Sequence, residues 1–159
     1  MNKRLLLLIL IVGFIVFRFI NQGEEEVKEE HTKVTQIISL ANSYKGVAYR
    51  AGGTTKRGMD CSGLVTTVFR AFDMQLPRSS ALMSREGEEI SLEEVREGDL
   101  LFFDIARLKG NINHVGLVTS IEKGNILFIH STTSRGVITT SINEPYWKEA
   151  FVKAKRVLN

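Results

Sequence analysis

The chain has a single cysteine, Cys61, in 159 residues. No disulfide can close within it, so the thiol is either buried and inert or kept reactive. Most of the chain also lacks net charge. The formal total is +3, but Lys3, Arg4 and Arg18 all precede the first acidic residue, Glu24. From Glu24 onward, 18 basic residues balance 18 acidic ones. The pI of about 9.1 therefore gives this part no positive field to steer a polyanion, and no nucleic-acid partner is expected. Internal repeats and low-complexity tracts are absent, and the ordinary composition excludes disordered and collagen-like classes. There is no HExxH motif and no closely spaced pair of ligands, so neither a metal nor a cofactor is expected.

What is present begins with MNKRLLLLILIVGFIVFRFINQG. Two basic residues lead into an unbroken apolar run from Leu5 to Phe17. Such a run fits the apolar region of an export signal and is short for a spanning helix, which needs about 20 residues. Arg18 can snorkel, which extends the run to Ile20. No small-x-small cleavage site follows. Residues 1–20 therefore read as an uncleaved signal anchor in preference to a cleaved signal peptide. Lys3 and Arg4 stay in the cytoplasm and the rest of the chain is exported, membrane-anchored and facing the periplasm or wall, or secreted if the signal is cleaved. Residues 21–32 are polar and acidic and read as a linker. Residues 33–159 leave room for one compact domain.

In that domain Val34, Ile37, Ile38 and Ala41 recur at helical spacing, with Gly46 as a stop. The glycine-rich stretch YRAGGTTKRGMD reads as a loop. A second helix fits Ser62 to Phe72, with Asp60 as its N-cap, and Ser80 to Arg85 fits a short third. The period then changes. LLFFDI, HVGLVTSI, ILFIHST and RGVITTSI read as strands, the middle two forming a hairpin. The C-terminal YWKEAFVKAKRVL fits a short helix and strand or one helix. Helices first and antiparallel strands second predict an α+β class.

Cys61 stands where the loop becomes the second helix. The positive end of a helix dipole and unpartnered N–H groups lower a thiol's pKa from about 8.5. A nucleophilic thiol also needs a base, and the base needs an orienter. Of the three histidines, His31 lies in the acidic lead-in, while His114 and His130 sit at matching ends of the predicted hairpin. A two-residue turn would pair Ile121 with Ile126 and turn the two rings to opposite faces. A three-residue loop, Glu122-Lys123-Gly124, pairs Ile121 with Asn125 and offers Gly124 for the left-handed position. It also sets Gly116 opposite His130, with His114 diagonal on the same face. We take the second register, which points to a Cys–His–His constellation. A metal held by these three residues is the rival reading.

The ordered blocks YRAGG, DCSGLV, LPRSS, EGDLLFF, HVGLV and FIHST resemble the NlpC-type cysteine peptidases of bacterial cell walls, the NlpC/p-sixty family. The resemblance runs from Val34 to the C-terminus. It implies a papain-like α+β fold, with Cys61 as nucleophile, His114 as general base and His130 as its orienter. It also implies that Tyr49 helps stabilise an oxyanion beside the Cys61 N–H, and that Asp60 and Ser62 hold the free amino end of a stem peptide. Arg78, Tyr146 and Trp147 read as structural. The implied activity is a hydrolase cutting peptidoglycan stem peptides, commonly between D-γ-glutamyl and the following diamino acid. The alternatives are a non-catalytic stem-binding protein of the same fold and an amidase on another amide. The expected partners are stem peptides and, through the N-terminal segment, a membrane, with the chain a monomer. The stretch DIARLKGNIN before His114 is a candidate lid or rim.

Overall fold

The computed structural model describes residues 3–106, 108 and 110–158, with side chains from residue 10 onward. It divides into two compact units, Met1–Lys33 and Val34–Asn159. Helix α1 (Lys3–Asn42) runs through both. The linker expected over 21–32 is instead helical. Its sequence is rich in strong helix formers, Glu24 and Glu29 stand four residues ahead of Lys28 and Lys33, and Gln22 donates to Glu26 at 3.3 Å. Along the same helix Leu10, Phe14, Phe17, Phe19 and Ile20 are exposed. Among the described residues no helix is long and apolar enough to cross a membrane. The side chains of residues 3–9, which include the first five of the 13 residues from Leu5 to Phe17, lie outside the described residues.

The second unit is built on a six-stranded antiparallel sheet. A two-stranded ribbon, β1 (Thr54–Thr55) and β2 (Gly58–Met59), precedes α2 (Cys61–Arg70) and α3 (Ser80–Met83). Then follow β3 (Glu88–Ile90), a 3₁₀ turn (Leu92–Glu94), β4 (Leu100–Phe103), β5 (His114–Glu122), β6 (Asn125–Thr132), β7 (Gly136–Ser141), α4 (Pro145–Ala150) and β8 (Phe151–Arg156). The sheet order is β3-β8-β4-β5-β6-β7. The C-terminal segment is thus a helix followed by a strand, and Pro145 fits the first turn of α4, where a missing N–H costs nothing.

Alternation along the strands divides the core in two. Leu100, Phe102, Val115, Leu117 and Ile129 pack with Ile37 and Ala41 of α1 and with Leu64, Val65, Val68 and Phe69 of α2. Leu101, Phe103, Val118, Ile126 and Phe128 pack with Trp147 of α4 and with Ala154. Each large side chain fully buried here stabilises the fold by roughly 1.5–3 kcal/mol relative to exposure.

The β5–β6 hairpin departs from the predicted register. Glu122 pairs with Asn125 and Ile121 with Ile126, so the turn has two residues, Lys123 and Gly124. Their φ values of 52° and 80° place both in the left-handed region, as a type I′ turn requires. Taken alone, this register would put His114 and His130 on opposite faces. A bulge at Thr119 corrects it, because Val118 pairs with Phe128 while Ser120 pairs with Leu127. One extra residue in one strand flips the alternation. Beyond the bulge Leu117 pairs with Ile129, which sets Gly116 opposite His130, as predicted but by a different route. Gly116 is required there: a Cβ would lie 2.4 Å from Phe128 Cδ2 and 3.3 Å from His130 Cβ.

Candidate active site

Cys61 is the first residue of α2 and is half-buried. Asp60 caps the helix, its carboxylate accepting from the Gly63 N–H at 2.7 Å. The same carboxylate accepts from the Gly52 N–H at 2.8 Å, so the YRAGG loop wraps it. Gly63 lets this loop close on the helix, because a Cβ there would sit 2.0 Å from the Gly53 carbonyl oxygen. Ser131 of β6 donates to the Met59 carbonyl at 2.7 Å and ties the start of α2 to the strand that carries His130. Burial pushes the Cys61 thiol above its ordinary pKa, and the nearby Asp60 charge adds to this. Hydrogen bonds from the Val115 and Ser62 N–H groups pull the other way without prevailing. Desolvation thus works against the lowering expected from the helix terminus. The Val115 N–H contact also puts the thiol at the start of β5, and Cys61 and His114 line one cavity of about 210 Å³.

The histidines form a buried hydrogen-bonded row. His114 Nε2 lies 2.8 Å from His130 Nδ1, and His130 Nε2 lies 2.9 Å from Thr140 Oγ1. Burial, then the neighbouring charges of His114 and Arg135, lower the His130 pKa to about 2, so this ring is neutral. A neutral ring has one N–H. If His130 Nε2 donates to Thr140, its Nδ1 accepts from His114 Nε2–H, which puts the lone pair of a neutral His114 ring on Nδ1. Trp147 closes the row, stacked on His114 at 5.2 Å and edge-on to His130 at 4.5 Å. Phe103 and Phe128 pack against the same rings. Trp147, expected to pack, does so directly on the histidine pair. Thr140 was not foreseen, because a threonine in an alternating strand carries no distinguishing pattern.

Tyr49, 37% exposed, lines the cavity beside Cys61. Burial and the adjacent Asp60 and Cys61 charges raise its pKa, which keeps its O–H as a donor. Ser62 is buried, its hydroxyl 3.4 Å from Asp60 Oδ1. Arg78, expected to be structural, reaches this corner and forks onto both Asp60 oxygens at 2.9 and 2.7 Å. The stretch before His114 forms a rim: Ile105, Leu108 and Asn113 line the cavity, and the Asn113 side chain pins it through Ile105, Asp104 and Gly110. Residues 107 and 109 of that stretch lie outside the described ones. Among the described residues no three or more side chains of metal-ligating type come together.

A helix-borne thiol and a row of two histidines meet at one cleft, and these are residue types that acyl transfer employs. The sequence model of the NlpC/P60 family matches residues 46–156. The chain belongs to the NlpC/P60 family. It is 43% identical over 126 residues to the murein DD-endopeptidase MepS/murein LD-carboxypeptidase of Escherichia coli K12, spanning 79% of this chain and 63% of that relative. It is 33% identical over 123 residues to the γ-D-glutamyl-L-lysine dipeptidyl-peptidase of Bacillus cereus, covering 77% of this chain and 36% of that one. The crystal structure of an NlpC/P60 family protein from Bacillus cereus superposes with a TM-score of 0.70 at 32% identity, over 79% of this chain and 40% of that one. The fold is accordingly the papain-like α+β fold of this family, with α2 packed on the antiparallel sheet.

Proposed function

We propose that the chain is a cysteine peptidase that hydrolyses peptidoglycan stem peptides by acyl transfer. The observation that carries this reading is the buried His114–His130–Thr140 row opening on the same cavity as the chain's one thiol. Cys61 is the nucleophile. His114 Nδ1 removes the thiol proton as Sγ attacks the scissile carbonyl, and burial, which raises the thiol pKa, makes that base necessary. The developing oxyanion is met by the Cys61 backbone N–H and the Tyr49 hydroxyl. Loss of one such donor typically costs about 3 kcal/mol of transition-state stabilisation. Protonated His114 then delivers the proton to the leaving amine, and water enters by the reverse path to release the acid. His130 stays neutral and orients His114. Trp147 stacked on His114 favours the transient imidazolium through its ring face.

The bond we take first joins D-γ-glutamyl to the diamino acid, the bond type in the name of the Bacillus cereus relative. The higher identity to a relative named for DD-endopeptidase and LD-carboxypeptidase activities supports a second reading, in which the bond is a D-centred one further along the stem. The exposed apolar side chains of the N-terminal helix support a membrane tether on the exported side, with the chain acting as a monomer. The test is to incubate the full chain in detergent with purified peptidoglycan and with a stem tetrapeptide, and to read the products by mass spectrometry. Fragments ending in the glutamyl residue support the first bond, and released D-alanyl products the second. An intact substrate with folded, reduced protein would sink the peptidase reading and favour a binding protein, whereas cleavage confined to a different amide would favour the amidase alternative.

A further inference from the structure

The balance of 18 basic and 18 acidic residues from Glu24 onward predicts no field that steers a polyanion, yet the fold separates the two signs. Strands β3 and β7 are the two edges of the sheet. At the β3 edge, residues 86–97 carry six glutamates and one arginine. Neighbouring cations answer this edge: Glu89 pairs with Lys153 at 2.9 Å and with Lys155 at 3.5 Å, and Arg156 donates to the Glu94 carbonyl at 2.9 Å.

At the other edge, the segment before α2 covers β7. The Gly46 N–H donates to the Val137 carbonyl and the Val137 N–H to the Val47 carbonyl, both at 2.9 Å. The Met59 N–H donates to the Ala48 carbonyl at 3.0 Å and the Arg50 N–H to the Met59 carbonyl at 3.1 Å, which ties the β1–β2 ribbon to the same side. Residues 43–59 and 131–143 hold Lys45, Arg50, Lys56, Arg57 and Arg135 and no acidic residue. All five are exposed. Among the described residues none of the five makes an ion pair. Glu144 shares the cleft lining with Arg135 without pairing to it. Five strand spacings separate the two edges, roughly 24 Å at about 4.8 Å each, against a screening length of about 10 Å at 0.1 M ionic strength. The two ends therefore act on their surroundings separately. Like charges gathered without a counter-charge repel one another, so an anion that covers them is favoured. The basic face also adjoins the cleft, because Tyr49 and Arg135 line it.

We propose that this face docks the carboxylates of polymeric peptidoglycan and holds the wall while a stem enters the adjoining cleft. The proposal rests on the peptidase reading for its substrate and adds a contact outside the catalytic residues. A γ-linked glutamyl residue leaves its α-carboxylate free, and a stem that is not cross-linked ends in another. Wall polymer thus presents carboxylates in a repeating array, whereas a free tetrapeptide presents a few at one point. Each exposed charge contact is weak alone, and an array engages several at once.

The experiment measures binding of full-length Cys61→Ala, in detergent, to purified insoluble peptidoglycan by co-sedimentation at 0.1 M NaCl. This background leaves the polymer uncut. Adding Lys56→Glu/Arg57→Glu is expected to weaken binding by about five- to tenfold, and 0.5 M NaCl should erase the difference. Converting the polymer's carboxylates to amides should weaken binding to a similar degree, with no change to the protein. Glu88→Lys/Glu93→Lys alters the net charge by the same amount at the far edge and should shift binding by less than about twofold. Unaltered binding by a folded Lys56→Glu/Arg57→Glu variant overturns the proposal. An equal and opposite gain from Glu88→Lys/Glu93→Lys overturns it in favour of net charge alone. Binding indifferent to amidation also overturns it, and release by detergent micelles carrying phosphatidylglycerol would then assign the face to an anionic membrane. The readout needs no turnover. If the wild type cleaves no stem while the binding differences hold, the peptidase reading fails and the docking face stands.

Discussion

The proposed nucleophile and the proposed base are held by opposite means. Cys61 sits in a polar corner, fixed by a helix cap, a glycine loop and the Asp60–Arg78 ion pair, all formed by residues from 49 to 78. His114 and His130 sit in an aromatic box of Phe103, Phe128 and Trp147, satisfied by one neutral hydroxyl. The first arrangement is largely local and polar. The second is assembled by strand pairing and by a helix that arrives near the end of the chain. Local capping tolerates small errors elsewhere in the fold, whereas a face set by register fails as a whole when the register slips.

Deleting Thr119 tests that difference most severely. Without the bulge, the two-residue turn sends His114 and His130 to opposite faces. We expect stem cleavage to be lost, while a deletion of Lys56 in the exposed loop, far in sequence from the hairpin, leaves activity measurable. Activity retained in the Thr119 deletion would refute the account of the register.

Thr140→Val probes the far end of the row. It removes the partner of a buried ring nitrogen at constant shape, which costs about 1–3 kcal/mol. We expect a lower unfolding midpoint and a drop in kcat with KM little changed, both restored by Thr140→Ser. A Val variant with wild-type kcat would mean that the hydroxyl does not set the His130 tautomer.

The neutral His130 gives a smaller, pH-dependent effect. Its folded pKa of about 2 lies below the unfolded value near 6.5. Between these values the unfolded chain binds the proton and the folded one does not. The contribution is therefore intact above about pH 6.5 and is lost as pH falls toward 2, by at most about 1.4 kcal/mol per pH unit. Urea unfolding at pH 7.5 and 5.5 should show a loss of about 1 kcal/mol in the wild type beyond that of His130→Gln. Equal losses would place the acid sensitivity elsewhere.

The least disruptive probe is alkylation of Cys61 by iodoacetamide across pH. Burial raises this thiol, so the rate should rise with a midpoint above the free-cysteine value of about 8.5. A midpoint below 7 would indicate a resting thiolate–imidazolium pair.

The same contrast explains what the sequence disclosed. The α2 start, the Asp60 cap and four strands are written in local signals, a capping residue before an apolar period and alternation between turns. The three-residue strand β3 and the two-residue β1 and β2 are too short to carry a period. Residues 21–32 read as a linker because nothing there is apolar enough to pack, yet charged helix formers with paired spacing sustain a solvated helix. The shared face of the histidines was anticipated, but its cause was not: a bulge leaves no mark in an alternating strand, and Thr119 looks like any surface residue. The Arg78 fork was missed because it joins positions 60 and 78 through space, with no pattern along the chain.

The most direct measurement of the central claim is intact mass of the protein quenched during turnover of a stem tetrapeptide, with Cys61→Ala run in parallel. The account predicts a transient mass gain equal to the acyl fragment, mapped to the peptide containing Cys61, and neither adduct nor product from Cys61→Ala. Product formation by Cys61→Ala at the wild-type rate would contradict it.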